Sequence, residues 1–442
     1  MTGIQSLLNF IDESQTAFQA VQSCCARLEA NGFVRLQEGD AWKLEAGQGY
    51  YLTRNQSSVL AFRMPTEACE SFMITASHTD SPTFKLKNEC LAPTDRFLRL
   101  NTEVYGGTIF STWMDRPLSL AGRAVLLHDG RFEAIPVVID RDLLIIPNVA
   151  IHFNRSINSG FSYNPAVDML PLLSMDMSVS VKGLLAQVLD CREEEIVGFD
   201  LFVYNRMKGT RVGAAEEFFA APRIDNLMCV WGTLEGLLEA EASSHTVQLF
   251  FAADNEETGS ATKQGAGSLM LSDAIDRICE ATGADRRRVL ASSMMVSADN
   301  AHAKHPNHPE MSDAKNAPTI NGGVVIKNNA AQKYTTEALS YSIFSEICRK
   351  AGIPVQEFAN RSDMAGGSTL GSISNTRVPL LTVDIGMAQL AMHSACETAG
   401  CADADHLKNA MRAFYESTLR ADKDGCFHLD SMNVLKKENE HV

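Results

Sequence analysis

The stretch TVQLFFAADNEETGS, residues 246–260, decides the fold: an apolar run of one strand's length stops abruptly at Asp254-Asn255-Glu256-Glu257. A run without polar alternation reads as a strand covered on both faces, as in a parallel sheet sandwiched by helices. The same texture recurs in both directions. Phe72 to Ser77 runs into His78-Thr79-Asp80, and Met294 to Ser297 leads to Asp299-Asn300-Ala301-His302. Further extended runs are predicted at Ser58 to Met64, Val324 to Lys327, Val355 to Ala359 and Val378 to Val383. Helical spacing joins Ile4, Leu7, Leu8 and Ile11. A second helix is predicted from about Gln15 to Asn31-Gly32, and others over Leu227 to Ala240 and Ala338 to Arg349. Strands alternating with helices specify an α/β fold with a mixed central sheet flanked by helices.

Between about Lys87 and Gly213 the pattern changes. Short β-type runs (Ala124 to Leu127, Ile135 to Ile139, Leu143 to Ile146, Ile196 to Tyr204) are separated by Asp, Gly and Pro turns. This block reads as an insertion. The expected division is a discontinuous α/β domain, 1–88 and 216–442, holding a β-rich domain, 89–215. The tail from Lys436 to Val442 is expected to be a solvated end.

Composition narrows the function. Of 442 residues, 45% are hydrophobic and 21% charged, enough apolar mass to exclude a disordered chain. Lys plus Arg number 39 against 54 Asp plus Glu, a net charge of -15, which argues against nucleic-acid or anionic-membrane binding. Eleven cysteines without a CxxC pair suggest reduced thiols. The N-terminus lacks a basic segment before its apolar positions, and no apolar run approaches the ~20 residues of a membrane span. A cytoplasmic protein is expected.

Taken singly, the polar clusters have ordinary explanations. Asp225, in Arg223-Ile224-Asp225-Asn226, suits a helix N-terminus; an acidic DNEE stretch suits a solvated loop. A local zinc site from Asp299, His302, His305 and His308 is disfavoured by Pro306 and Pro309, which bend the segment. Together the clusters fit another design. Ligands leaving several strands at one sheet edge converge there. Carboxylates with neutral imidazoles suit a pair of divalent cations: Zn²⁺, or Co²⁺ or Mn²⁺. Two residues apart at a strand end, His78 and Asp80 face the same way, so Asp80 can orient the imidazole. Of the adjacent Glu256 and Glu257, one can bind metal while the other serves as a base.

This arrangement resembles the aspartyl aminopeptidases and their vacuolar-aminopeptidase relatives, which are dinuclear zinc exopeptidases. The stretches that carry the resemblance are ASHTDSPTFKLK, IIPNVAIHFNR, RIDNL, DNEETGS, MVSADNAHAKHPN, IKNNAAQKYTT, DMAGGSTLG and GMAQLAMHS, in order over most of the chain. The resemblance implies that His78 and Asp299 hold one zinc, Glu257 and His393 the other, and that Asp225 bridges them. It makes Glu256 the general acid/base for water attack and Asp80 the residue orienting His78. It implies removal of N-terminal Asp or Glu, with His152, His302, Lys327 and Tyr334 contacting substrate, and Lys327 pairing with the side-chain carboxylate. The insert becomes a dimerisation domain whose His152 reaches the neighbouring subunit, with dimers building a larger homo-oligomer, expected to be a dodecamer. Thr83, the stretch DMAGGSTLG and Gly371-Ser372 depart from the usual pattern without removing a ligand. Competing readings are a neutral or broad-specificity aminopeptidase of the same fold, an N-acyl amino acid amidohydrolase, and a catalytically silent scaffold.

Overall fold

The computed structural model describes residues 2–431; the tail expected at Lys436 to Val442 lies outside the described residues. A nine-stranded mixed sheet forms the centre. Its middle strands Thr246–Ala253, Ser71–His78, Met294–Ala298 and Leu381–Gly386 run parallel, and Val324–Asn328 lies antiparallel to Leu381–Gly386. Successive residues of Thr246–Ala253 serve opposite faces. Phe250 and Ala252 pack with Trp231, Phe344, Met411 and Phe414, whereas Leu249 and Phe251 pack with Phe62, Phe72, Ile275 and Ile278. Each such large side chain contributes about 1.5–3 kcal/mol when removed from water. This two-sided burial is why the strand carries no polar alternation. The polar cluster Asp254-Asn255-Glu256-Glu257 follows directly at the strand end, where the register aligns Ala253 with His78.

Helices Gly3–Glu13, Ala17–Ala30, Ile224–Glu239, Ala338–Ala351 and Cys401–Tyr415 supply the first core; Met270–Thr282 and Arg286–Ala291 supply the second. Gly232 and Gly236, one turn apart, let Ile224–Glu239 lie close against Cys401–Tyr415. A methyl group on Gly236 would stand 2.6 Å from Met411 Cβ and 2.9 Å from the Arg412 nitrogen. Helix propensity alone favours alanine by about 1 kcal/mol, but overpacking against a backbone atom costs about 1–3 kcal/mol. Gly236→Ala is therefore expected to lower the melting temperature, and a rise would disprove the close packing.

A six-stranded antiparallel sheet, ordered Arg131–Val138, Leu118–His128, Ile196–Asn205, Thr83–Pro93, Leu98–Tyr105 and Leu172–Ser174, forms the β-rich block. It starts at Thr83, before the expected boundary at 89, and ends at Asn205, before 215. The strand Thr210–Val212 pairs instead with Phe218–Ala221 in a third, five-stranded sheet. Two expected strands also differ. Leu143 to Ile146 makes only isolated bridges, because the Leu143 and Leu144 amides both donate to the Leu118 carbonyl and the chain curls there. The last core strand is Leu381–Gly386 rather than Val378 to Val383. The Val378 amide donates to the Ser374 carbonyl, finishing the turn of the helix Leu370–Ser374, and Pro379 has no N–H to give a ladder.

Candidate metal centre

Each polar cluster follows from where a strand or turn stops. His78 is the last residue of Ser71–His78, and Asp299 directly follows Met294–Ala298. Glu256 and Glu257 open a short 3₁₀ turn behind Thr246–Ala253, entered through Asn255 at φ 61°. Asp225 lies in the first turn of Ile224–Glu239, where the backbone is not yet helical. His393 stands outside the central sheet, after the short strand Ala388–Leu390, at φ 69°.

These residues meet. His78 Nε2 lies 3.6 Å from Asp225 Oδ1 and 3.7 Å from Asp299 Oδ1. His393 Nε2 lies 3.4 Å from Asp225 Oδ2 and 3.4 Å from Glu257 Oε2. The two oxygens of Asp225 thus face two different imidazoles, each with its own second carboxylate. Two groups of possible ligands result, His78–Asp225–Asp299 and Asp225–Glu257–His393. A third, His78–Glu256–Glu257, overlaps them.

The far sides of both imidazoles are held. His78 Nδ1 is 3.1 Å from the Asp80 carbonyl and 3.4 Å from its carboxylate. Asp80 also accepts the amides of Glu256 and Glu257, at 3.1 Å each, and the Tyr105 hydroxyl at 2.8 Å. His393 Nδ1 is 2.9 Å from the Gly107 carbonyl. With Nδ1 as the donor in both rings, both Nε2 atoms are left free to ligate. Tyr105 and Gly107 come from the six-stranded sheet and its following turn, and a side chain at position 107 would press on His393 Nδ1 at 3.2 Å.

The charges oppose one another. Burial, together with the carboxylates of Asp299, Asp80 and Asp225, pushes Glu256 up to about 8 despite the pull of His78. Burial and Asp225 push Glu257 well up as well. Burial would raise Asp299 too, but the Lys327 charge and the His78 hydrogen bond outweigh it and hold Asp299 below the usual carboxylate range. Asp225 Oδ1 is buried without a hydrogen-bond partner. Mutually repelling carboxylates around free imidazole nitrogens and an unpartnered carboxylate oxygen fit divalent metal.

Of the expected substrate contacts, Lys327 and Tyr334 adjoin the centre but lie behind it. Lys327 is 2% exposed, and its Nζ donates to the Asp299 carbonyl at 2.6 Å and the Asn300 carbonyl at 3.3 Å. It stands 3.4 Å from Asp299 Oδ2 and 5.1 Å above the Tyr334 ring. His302 borders a groove of about 510 Å³ shared with Phe358, Arg361, Met364, Gln389 and Met392. Its residue surface is exposed, yet dense surroundings and then the Lys327 charge hold the ring below its ordinary value. His152 lies exposed in the segment 147–164, and no described hydrogen bond or ion pair ties it to the cluster. His305 and His308 face each other at 5.3 Å, outside the three ligand groups. Sequence reading missed Tyr105, Gly107 and Glu397, whose buried carboxylate accepts the Asp225 and His393 amides. The Gly106-Gly107 pair hinted at close backbone approach; nothing marked Glu397.

Comparison with known proteins shows the family. The family model described as Aminopeptidase I zinc metalloprotease (M18) matches residues 10–415. The chain belongs to the M18 family of zinc metalloproteases. It is 43% identical over 422 residues to a probable M18 family aminopeptidase 2 of Clostridium novyi (strain NT), covering 92% of this chain and 97% of that one. A cryo-EM structure of an Ape4 and Nbr1 complex superposes with a TM-score of 0.90 at 34% identity, covering 93% of this chain and 85% of that one. An mApe1 dodecamer from S. cerevisiae shares the fold, with a TM-score of 0.82 at 24% identity over 93% of this chain and 96% of that one. As an M18 aminopeptidase, the chain is a zinc-dependent peptide hydrolase. Among its described residues no helix is long and apolar enough to cross a membrane.

Proposed function

We propose that the chain removes the N-terminal residue of peptides, preferentially Asp or Glu, at a two-zinc centre. The observation carrying the two-ion reading is Asp225, whose oxygens face His78 and His393 separately. His78, Asp225 and Asp299 would hold one ion, and Asp225, Glu257 and His393 the other. Zinc held there would supply Lewis acidity and lower the pKa of water toward neutrality. Glu257 belongs to two of the three ligand groups and Glu256 to one, which favours Glu256 as the free base. Glu256 takes a proton from the attacking water and returns it to the leaving amine. Asp80 fixes the His78 ring and anchors the turn that carries both glutamates.

The acidic preference is supported by the resemblance and by a cation, Lys327, beside the centre. Its burial favours a second reading, a broad-specificity aminopeptidase in which Lys327 serves only Asp299. Lys327→Ala separates the two. Through Asp299 it lowers kcat/KM on every substrate. If Lys327 also reads the substrate carboxylate, Asp-X peptides lose at least ~10-fold more than Leu-X peptides, as befits a hydrogen bond to a charged group. Equal loss discards the acidic reading. N-acyl amino acids serve as the control for amidohydrolase chemistry.

The β-rich domain expected over 89–215, whose six-stranded sheet runs from Thr83 to Asn205, is proposed as a dimerisation domain. Val149, Ile151 and Phe153 flank His152 with 52%, 48% and 87% of their surface exposed, apolar area suited to a second copy that would receive His152 at its own centre. Further assembly to a dodecamer follows the mApe1 neighbour. A cytoplasmic setting suits the described cysteines, all of which are free thiols.

A further inference from the structure

We infer that Glu397 is a positioning residue of the metal centre, a buried clamp holding the backbones of Asp225 and His393 at a fixed separation. The inference rests on reading Asp225, Glu257 and His393 as metal ligands. Glu397 starts the strand Glu397–Gly400 and pairs in register with Ala221, four residues before Asp225. Its side chain, 1% exposed, accepts the Asp225 amide on Oε2 at 3.0 Å and the His393 amide on Oε1 at 2.7 Å. One carboxylate thereby spans the two residues whose side chains meet at 3.4 Å.

The clamp is itself held. Gln389 Nε2 donates to Glu397 Oε1 at 3.2 Å, and Gln389 Oε1 accepts Asn300 Nδ2 at 2.7 Å. Asn300 Nδ2 also donates to the Ile224 carbonyl at 3.0 Å. The chain Glu397–Gln389–Asn300, nowhere more than 3% exposed, therefore touches the backbone at or beside Asp225, Asp299 and His393. A closed network of this kind fixes one geometry, because displacing any member strands a buried polar group. His393 needs such support: at φ 69° a residue with a Cβ keeps its conformation only where the surroundings impose it.

Each described hydrogen-bond partner of the Glu397 carboxylate is a donor: the Asp225 and His393 amides and Gln389 Nε2. A glutamine at 397 keeps the size but must turn an NH₂ toward one of the two amides, so it breaks the clamp without opening a cavity.

The test compares Glu397→Gln with wild type in zinc affinity by chelator competition, in kcat and KM, and in melting with EDTA. The expected result is a ~10–100-fold weaker zinc affinity and a fall in kcat with KM little changed, in a protein that still melts cooperatively without metal. Gln389→Met, which removes one donor to Glu397 and the acceptor of Asn300 Nδ2 but leaves the two backbone amides on Glu397, should shift affinity the same way by less, and decides the matter should Glu397→Gln not fold. Zinc affinity within about 2-fold of wild type in a folded variant overturns the inference, as does a lowered melting temperature without loss of affinity. His393→Ala keeps the two questions apart. A metal-poor His393→Ala beside an unaffected Glu397→Gln removes only the clamp; unchanged metal content in His393→Ala removes the ligand reading beneath it.

Discussion

Glu256→Gln is expected to retain wild-type zinc content while kcat falls by ~10²–10⁴-fold, the range for losing a general acid/base. The argument is geometric. The Glu256 amide donates to Asp80 Oδ1 and the Glu257 amide to Asp80 Oδ2, both at 3.1 Å, so the turn stays anchored whatever its first side chain becomes. Glu257 faces His393 and Asp225 directly. Glutamine at 256 preserves volume and polarity but cannot accept the proton. KM is expected to change little, since the residue contributes to the transition state rather than to ground-state binding. Glu257→Gln is the matched control and should lose metal. If zinc leaves Glu256→Gln instead, the two glutamates have exchanged roles; activity within a few-fold of wild type would remove Glu256 from the chemistry.

The half of the centre attached to the parallel strands was readable from sequence because burial on two faces makes a strand apolar until it ends. The register then brings His78, Asp299 and the DNEE turn to one edge. From its local sequence alone Asp225 was readable only as a helix start, and its place between the two imidazoles follows from a turn that is not yet helical. His393 was harder still. It follows the short strand Ala388–Leu390 of another sheet, and its cluster Met392-His393-Ser394 gained a ligand role only from the resemblance. Its orientation depends on Gly107, 286 residues away in sequence. Tyr105 and Glu397 were illegible for the same reason: Glu397 meets the Asp225 amide across 172 positions, and no local pattern encodes such a pairing. The resemblance put Lys327 among the substrate contacts; in the fold its strand Val324–Asn328 ends beneath the Asp299 turn, where two backbone carbonyls take its ammonium. The six-stranded sheet begins inside the ligand-bearing motif, because Thr83 to Leu86 already alternates between half-buried and buried as one of its strands.

Asp225→Ala is expected to strip both ions, whereas His393→Ala strips one. The difference follows from membership: Asp225 belongs to both ligand groups, and its removal leaves only His78 with Asp299 and Glu257 with His393, two donors for each ion. Two side-chain donors fall short of the three protein ligands a catalytic zinc site usually presents. Peptidase activity should therefore be lost with the metal and return only weakly in excess zinc. Misfolding is distinguishable by melting. In the metal-free protein the Asp225 charge opposes ionisation of Glu256, Glu257 and Glu397 but attracts the His393 imidazole, so the effects of its loss oppose one another. Melting in EDTA should accordingly change little between Asp225→Ala and wild type, while melting in zinc should be clearly lower for the variant, because binding stabilises only the folded protein that can bind. Two ions retained in Asp225→Ala would exclude a shared carboxylate, and one ion retained would confine Asp225 to a single site.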